Sequence, residues 1–157
     1  MNHAFHVTDL EQFIVQAKKN TYVGSGTRLL PYRLHSKDLQ FTQGDWIYHD
    51  SYFGESDFIG QEVVYFQKKP VWAMNYFGYV LQSERITSHT AGPVIKKSLS
   101  LMYEEGRFLG AFEHQDGTMK YVDTNQGDVQ LFTGKEWIEE AGAVLYELVY
   151  HGGILKA

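Results

Sequence analysis

The stretch from Phe58 to Tyr79 is the longest run of strand-forming residues in the chain, and it limits the possible folds more than any other segment. Two segments rich in Val, Phe, Tyr and Trp flank Lys68-Lys69, and Pro70 follows directly. This composition is typical of two pleated strands joined by a tight turn. The stretch therefore predicts a β-hairpin around which the rest of the chain packs.

The register of this hairpin predicts polar groups on an apolar face. With Lys68-Lys69 as a two-residue turn, Glu62 faces Asn75 and Gln61 faces Tyr76. Glu62 and Asn75 then lie among apolar neighbours of their own strands. Because burying an unpaired carboxylate is costly, two interpretations remain open. Either Glu62 points into solvent, or it faces hydrogen-bond donors or a ligand.

A second predicted hairpin precedes the first, with strands at 39–42 and 45–52 joined at Gln43-Gly44. Asp50 alternates with three aromatic residues on its apolar face, so we expect Asp50 and Glu62 to share a pocket if that face is buried. On the other face, Asp38 is predicted to oppose His49. Such a pair is either a base with its orienting acid or a solvated ion pair.

Two helices and a second set of strands complete the predicted pattern. Thr8 and Glu11 have the spacing of a capping box, which predicts a helix ending near Asn20. Gly92-Pro93 predicts the start of another helix, which ends near Glu104. Further strands are predicted at 119–125, 128–133, 136–140 and 143–151. With 157 residues, the chain is expected to form a single domain over residues 1–157.

The sequence also indicates an internal duplication. Gln43-Gly44-Asp45 recurs as Gln126-Gly127-Asp128, and the tyrosine-containing strand at 75–78 recurs at 149–152. The predicted halves are 8–80 and 92–155. The fold class is therefore α+β: two helix-plus-four-stranded antiparallel meander halves, with the helices packed on a curved antiparallel sheet. Two merely similar segments are the alternative to a pseudo-twofold duplication.

Composition excludes several classes of function. The formal net charge of −5 and the absence of clustered Lys and Arg argue against direct nucleic-acid or anionic-membrane binding. The chain contains no cysteine, which excludes disulfides and thiolate chemistry. It has neither a secretory leader pattern nor eighteen consecutive apolar residues. We therefore expect a cytoplasmic protein that does not enter the membrane.

The last strand and the N-terminus supply the remaining candidate residues. Tyr150 and His151 end the strand just before two glycines, where a backbone can approach a ligand closely. His151 bonded to a main-chain carbonyl is the structural alternative. His3 and His6 have a metal-like spacing but lack a third ligand, so we predict no metal site. No dinucleotide fingerprint or nucleophile elbow is present, and the sequence identifies no cofactor.

Five segments of the chain are distinctive when taken together: FIVQAKKNTYVG (13–24), DLQF (38–41), FIGQE (58–62), PVWAMNYFG (70–78) and YHGGIL (150–155). They resemble a family of uncharacterised bacterial domains that occur alone or attached behind helix-turn-helix regulators. The resemblance covers most of the chain. It implies no established reaction, and therefore no catalytic residues. Because the first helix begins almost at the N-terminus, we expect no DNA-reading module and no direct DNA contact.

These observations favour a small-molecule-binding or sensing domain whose aromatic-lined pocket carries a few polar groups. A hydrolase or isomerase that uses Asp50 or Glu62 as acid or base is one alternative. A protein-interaction or homodimerisation module is the other, because exposed aromatic side chains also suit protein contacts. The predicted ligand-binding residues are Asp50, Gln61, Glu62, Asn75, Tyr76, Tyr150 and His151.

Overall fold

A computed structural model describes residues 5–24 and 26–156. Within these residues, two α-helices are formed, α1 (Val7–Lys18) and α2 (Ser88–Glu104), and a π-helical turn (Lys19–Val23) continues α1. The strands are β1 (Thr27–Leu29), β2 (Lys37–Gln43), β3 (Trp46–Gly54), β4 (Phe58–Phe66), β5 (Lys69–Val80), β6 (Phe112–Asp116), β7 (Met119–Asp128), β8 (Leu131–Glu140) and β9 (Ala143–Ile154).

These strands form one open antiparallel sheet in the order β1-β2-β3-β4-β5-β9-β8-β7-β6. Helix α1 lies against β2 and β3, and α2 lies against β6 and β7. The apolar residues of α1 recur at helical spacing, so Leu10, Phe13 and Ile14 are buried on the face turned to the core. The predicted α+β class, with helices packed on an antiparallel sheet, is confirmed.

The two halves of the sheet repeat each other. β2 to β5 and β6 to β9 are both four-stranded meanders, and their last strands, β5 and β9, pair side by side with Tyr76 directly opposite Tyr150. Gly60 faces Tyr76 in the first half, and Gly134 faces Tyr150 in the second. The two glycines have the same separation in the chain as the two tyrosines. The strand order and register are those of a pseudo-twofold duplication about the β5–β9 pair.

The tripeptide repeat does not align the two halves correctly. Gln43 ends β2, and Gly44 and Asp45 form the turn to β3. The second copy, Gln126-Gly127-Asp128, instead ends β7 before the turn to β8. The two copies therefore occupy different hairpins, and the correct alignment is the one that relates β5 to β9.

Both predicted helix starts were misplaced. Thr8 lies inside α1, whose first helical residue is Val7, so it does not cap the helix. The second helix begins at Ser88, upstream of the predicted Gly92-Pro93, and Pro93 lies inside it. At this end the Thr87 N–H donates to Thr90 Oγ1 at 2.9 Å, which supplies a partner for a free backbone donor.

The second meander also differs from its predicted division. β6 was not predicted, and the single strand β8 contains the end of the predicted strand 128–133 together with the whole predicted strand 136–140. Gly134, which falls between these two predicted strands, lies within β8. A Cβ at this position would come closer than 3.0 Å to three side-chain atoms of Tyr150. Gly134 is therefore required by the close approach of an aromatic ring.

The central hairpin is formed, but its predicted register was wrong. The turn is Gln67-Lys68, and both residues adopt the positive φ angles, 49° and 64°, that suit a two-residue hairpin turn. A further irregularity between Val64 and Tyr65 shifts the pairing again. As a result, Glu62 faces Met74 on β5 rather than Asn75.

Candidate functional site

A cavity of about 820 Å³ lies between the sheet and the helices. Its walls come from the central strands of both halves, from the last turn of α1 and from one face of α2. Helix α2 contributes Ala91, Gly92, Ile95 and Leu99, whose spacing of one, three and four residues defines a single helical stripe. The cavity thus lies where the two helices leave the middle of the sheet free, and it is partly open to solvent.

The first half places an acid pair in this cavity. Asp50 on β3 stands opposite Glu62 on β4, and both side chains are buried. The Tyr76 hydroxyl donates to Asp50 Oδ1 at 2.7 Å. The ammonium group of Lys18, at the end of α1, lies 2.6 Å from Glu62 Oε2, and this ion pair is also buried. Hydrogen bonding and ion pairing offset part of the cost of burying these charges.

The second half repeats the acid pair at the equivalent positions. Asp123 on β7 stands opposite Glu136 on β8, and both are buried. The Tyr150 hydroxyl donates to Asp123 Oδ1 at 2.7 Å. Glu136 accepts from Tyr121 at 2.5 Å and from Tyr146 at 3.2 Å. Tyrosine hydroxyls supply these hydrogen bonds, whereas Glu62 is bonded to a lysine.

Burial raises the pKa of three of these carboxyl groups. It raises the pKa of Asp50 to about 7, with the charge of Glu62 adding to the effect. It raises the pKa of Asp123 to about 8, with a further contribution from Glu136. Burial also raises the pKa of Glu136. Near neutral pH the cavity therefore holds carboxyl groups that can gain or lose a proton, which is the property required for acid-base chemistry or for charge-selective binding.

Aromatic rings form much of the remaining wall. Phe108 packs edge-on against Trp72, and the Lys18 ammonium lies 5.8 Å from the centroid of the Phe108 ring. This distance is within the range of a cation–π interaction. The other aromatic residues that line the cavity are Tyr22, Tyr52, Phe58, Tyr76, Tyr103, Tyr146 and Tyr150.

Four of the seven predicted ligand-binding residues lie together at the cavity: Asp50, Glu62, Tyr76 and Tyr150. The other three, Gln61, Asn75 and His151, are exposed on the opposite face of the sheet. There they lie side by side, because Gln61 pairs with Asn75 and Asn75 pairs with His151. Gln61 Nε2 donates to Asn75 Oδ1 at 2.9 Å. The predicted sharing of a face by Glu62 and Asn75 was therefore wrong, because the register places them on opposite sides.

The predicted Asp38–His49 contact is formed, although the two residues are not direct cross-strand partners. Asp38 Oδ1 lies 2.8 Å from His49 Nε2. Ser36 also donates to Asp38, at 2.5 Å, so this carboxylate is tied into a local network at the edge of the cavity. Asp50 and Glu62 are cross-strand neighbours that line the same cavity, as predicted.

Sequence reasoning missed Lys18, Asp123 and Glu136. No sequence pattern indicated a role for Lys18, which is buried at the end of α1. A signal for Glu136 was present, because the spacing that relates the two tyrosine strands leads from Glu62 directly to it. The same spacing leads from Asp50 to Thr124, the residue next to Asp123, so it indicates the region of the second acid but not the residue itself.

Among the described residues, no group of three or more His, Asp or Glu is arranged to hold a metal ion. His3, half of the metal-like pair noted in the sequence, lies outside the described residues. No helix in the described part of the chain is long and apolar enough to cross a membrane.

A family model matches this chain. It covers residues 50–155 and is described as a domain of unknown function, DUF5680. The matched region includes both acid pairs but not Lys18. No curated protein and no solved structure matches the chain.

Proposed function

Because the chain belongs to the DUF5680 family, whose description names no activity, function has to be inferred from the cavity, and we propose that the protein is a small-molecule-binding or sensing domain. The observation that carries this proposal is the cavity of about 820 Å³ lined by aromatic rings and a few buried polar groups. Ligand sites in proteins have this composition, and their volumes run from about 300 to 1,000 Å³.

An ordinary core does not account for these features. Protein interiors are close-packed and contain few voids larger than a water molecule. Replacing buried charged groups by well-packed apolar residues is often neutral or stabilising, so two acid pairs around one cavity bring no evident advantage to the fold. A role in recognition explains why Asp50, Glu62, Asp123 and Glu136 all face the same space.

A screen with a matched pair of cavity variants tests the proposal. Gly92 lies on the α2 stripe that lines the cavity, and a Cβ there would meet no atom within 4 Å. Gly92→Phe should therefore place a ring in the cavity at little steric cost. Gly92→Ala is the control, since it makes the same backbone change without filling the space. Ligand binding raises the melting temperature in proportion to the logarithm of ligand excess.

We expect at least one compound in a broad metabolite library to raise the melting temperature of the wild-type protein and of Gly92→Ala. The same compound should have no effect on Gly92→Phe, provided that this variant melts cooperatively. Equal shifts in all three proteins would place binding outside the cavity. The absence of any shift across the library would contradict the proposal.

The family resemblance adds an expected setting to this proposal. A bacterial, cytoplasmic sensing domain that occurs alone, or behind helix-turn-helix regulators in related chains, would convert the level of a metabolite into a change of partner contacts. Pull-down of the protein with and without a ligand from the screen tests this role. Ligand-independent partners would count against sensing.

Acid-base catalysis is a second candidate function, because the pKa of Asp50, raised by burial and by Glu62, is about 7. A hydrolase or isomerase of this kind should show a rate that depends on a group titrating near that pH. Turnover of generic ester and glycoside substrates by wild type, compared with Asp50→Asn, is the test. Equal rates in the two proteins would exclude Asp50 as the acid or base.

The exposed face of the sheet favours a third candidate, a partner or homodimer interface. Ile59, Phe77 and Val149 are direct cross-strand neighbours there, and their exposed fractions are 54%, 41% and 43%. Such a row of exposed apolar residues is typical of contact surfaces. Light scattering over a range of concentrations tests the homodimer, and a monomer at every concentration would contradict it.

A further inference from the structure

The two acid pairs differ in the cation beside them. In the first half, the Lys18 ammonium forms an ion pair with Glu62 at 2.6 Å. In the second half, no lysine or arginine in the described part of the chain forms an ion pair with Asp123 or Glu136. Where the last turn of α1 directs Lys18 into the cavity, the last turn of α2 directs Tyr103. The two halves of the site therefore carry equivalent acid pairs, but only the first half has a lysine in an ion pair with one of its acids.

Lys18 shows how this cavity binds an ammonium group. Its charged nitrogen contacts a buried carboxylate and lies near the face of the Phe108 ring. Carboxylates and aromatic faces are the two groups that proteins use to recognise organic cations. The second acid pair is likewise buried among aromatic side chains that line the cavity, and the hydroxyl groups of Tyr146 and Tyr150 donate to Glu136 and Asp123.

We propose that the ligand of the cavity is an organic cation, a protonated amine on an apolar or aromatic body, whose charged nitrogen pairs with Asp123 and Glu136 as Lys18 pairs with Glu62. This inference rests on the proposed binding function and adds the chemical class of the ligand. The size of the cavity, about 820 Å³, leaves room for an organic body beyond the charged nitrogen.

The raised pKa of the second pair makes binding of a cation depend on pH. Burial, followed by the charge of Glu136, raises the pKa of Asp123 to about 8, so this group carries a proton at neutral pH. A bound cation favours the ionised carboxylate, so the carboxyl proton passes to the buffer as the ion pair forms. Affinity should then rise with pH between about 6 and 8. The ionisable groups that face the pair from the surrounding elements are Lys18, Tyr22, Glu62, Tyr103, Arg107, Tyr121, Tyr146 and Tyr150.

Three probes with one aromatic body and different charges test the ligand class. These are 2-naphthylmethylamine, 2-naphthalenemethanol and 2-naphthoate, titrated by calorimetry at pH 8. We expect the amine to bind about 10- to 100-fold more tightly than the alcohol, the range that a hydrogen bond to a charged group supplies. The carboxylate should bind most weakly. The cavity variant Gly92→Phe should bind none of the three.

Neutralising variants test the site. Glu136→Gln and Asp123→Asn keep side-chain size and hydrogen-bond acceptors, so the preference for the amine over the alcohol should fall by about tenfold in either one, while affinity for the alcohol persists. Glu113→Gln, which alters an exposed acid paired with Lys120, is the control and should behave as wild type. Two variants are used because, if one of them does not fold, the other still tests the assignment of the site.

The outcomes separate this inference from the function on which it rests. If the alcohol or the carboxylate binds as tightly as the amine in the wild type, the ligand class is wrong, although the binding function stands. If the amine preference survives in both neutralising variants, the assignment to Asp123 and Glu136 is wrong. If neither these probes nor a metabolite library binds in a way that Gly92→Phe abolishes, both the inference and the binding function fail.

Discussion

Replacing Asp123 by asparagine should make the stability of the protein less sensitive to a rise in pH between 3.8 and about 8. In the folded protein burial raises the pKa of this carboxyl group to about 8, and the charge of Glu136 adds to the effect. In the unfolded chain the group should titrate near its ordinary value of 3.8. Asparagine has nearly the same shape, can accept the hydrogen bond from Tyr150, and does not ionise.

The direction of the effect on stability follows from the difference in proton binding by Asp123 between the folded and unfolded states. Between pH 3.8 and about 8 the folded protein keeps the Asp123 proton, whereas the unfolded chain has lost it. The stabilisation from this raised pKa is complete below pH 3.8 and is lost as the pH rises through about 8. In this window each pH unit costs about 1.4 kcal/mol for one group. Asp123→Asn should therefore gain about 3 kcal/mol relative to wild type between pH 5.5 and 7.5.

Urea unfolding followed at several pH values measures this difference. Asp116→Asn is the control, because Asp116 is only partly buried and is paired with Lys97, and its pKa is lowered by that hydrogen bond. The control should keep the pH dependence of the wild type between pH 5.5 and 7.5. Parallel stability curves for wild type and Asp123→Asn would refute the reasoning, because Asp123 would then titrate alike in the folded and unfolded states.

Two further predictions concern the packing of the site. Lys18→Met should lower the free energy of unfolding by about 3–5 kcal/mol by leaving Glu62 buried without its cation, and Lys18→Met with Glu62→Leu should recover most of that loss. Denaturant unfolding checks this, and an equal loss in the double variant would contradict it. Gly134→Ala should cost about 1–3 kcal/mol because its methyl group displaces the Tyr150 ring. Gly92→Ala, whose Cβ has open space, should not destabilise the protein, so equal melting temperatures for the two alanine variants would contradict the packing argument.

Much of the architecture was predictable because period-two patterning is strong in this chain. The aromatic alternation around Asp50 placed that carboxylate on the core-facing side of β3, where it meets Glu62. The β2–β3 turn proved to be Gly44-Asp45 rather than Gln43-Gly44, but this shift moves the pairing by two residues and leaves every side chain on its predicted face. Half of the acid cluster could therefore be inferred from sequence alone.

The incorrect placement of Asn75 on the face of Glu62 shows why the remainder of the site was harder to predict. Apolar side chains occupy both faces of β5, so alternation alone does not distinguish the buried face from the exposed one. The pairing depended on a turn placed one residue too late and on the irregularity after Val64. A change of one residue in register exchanges the partners of a whole strand. Glu62 therefore faces Met74, and Tyr76 rather than Asn75 shares its cavity.

Gly134 and Lys18 illustrate two further limits. A glycine between strand-forming residues usually marks a turn, and only the packing of Tyr150 reveals why one is needed inside β8. A lysine near a helix end is usually solvated, and only the fold brings Glu62 to it from a distant part of the chain. Both positions depend on contacts between remote segments, which local patterns do not encode.

A crystal structure of the complex with 2-naphthylmethylamine tests the central claim most directly. It should show the ring within the cavity among the tyrosines and the amine nitrogen within about 3 Å of a carboxylate oxygen of Asp123 or Glu136. An amine bound only on the protein surface, or bound in the cavity with its nitrogen turned away from both carboxylates, would contradict the account.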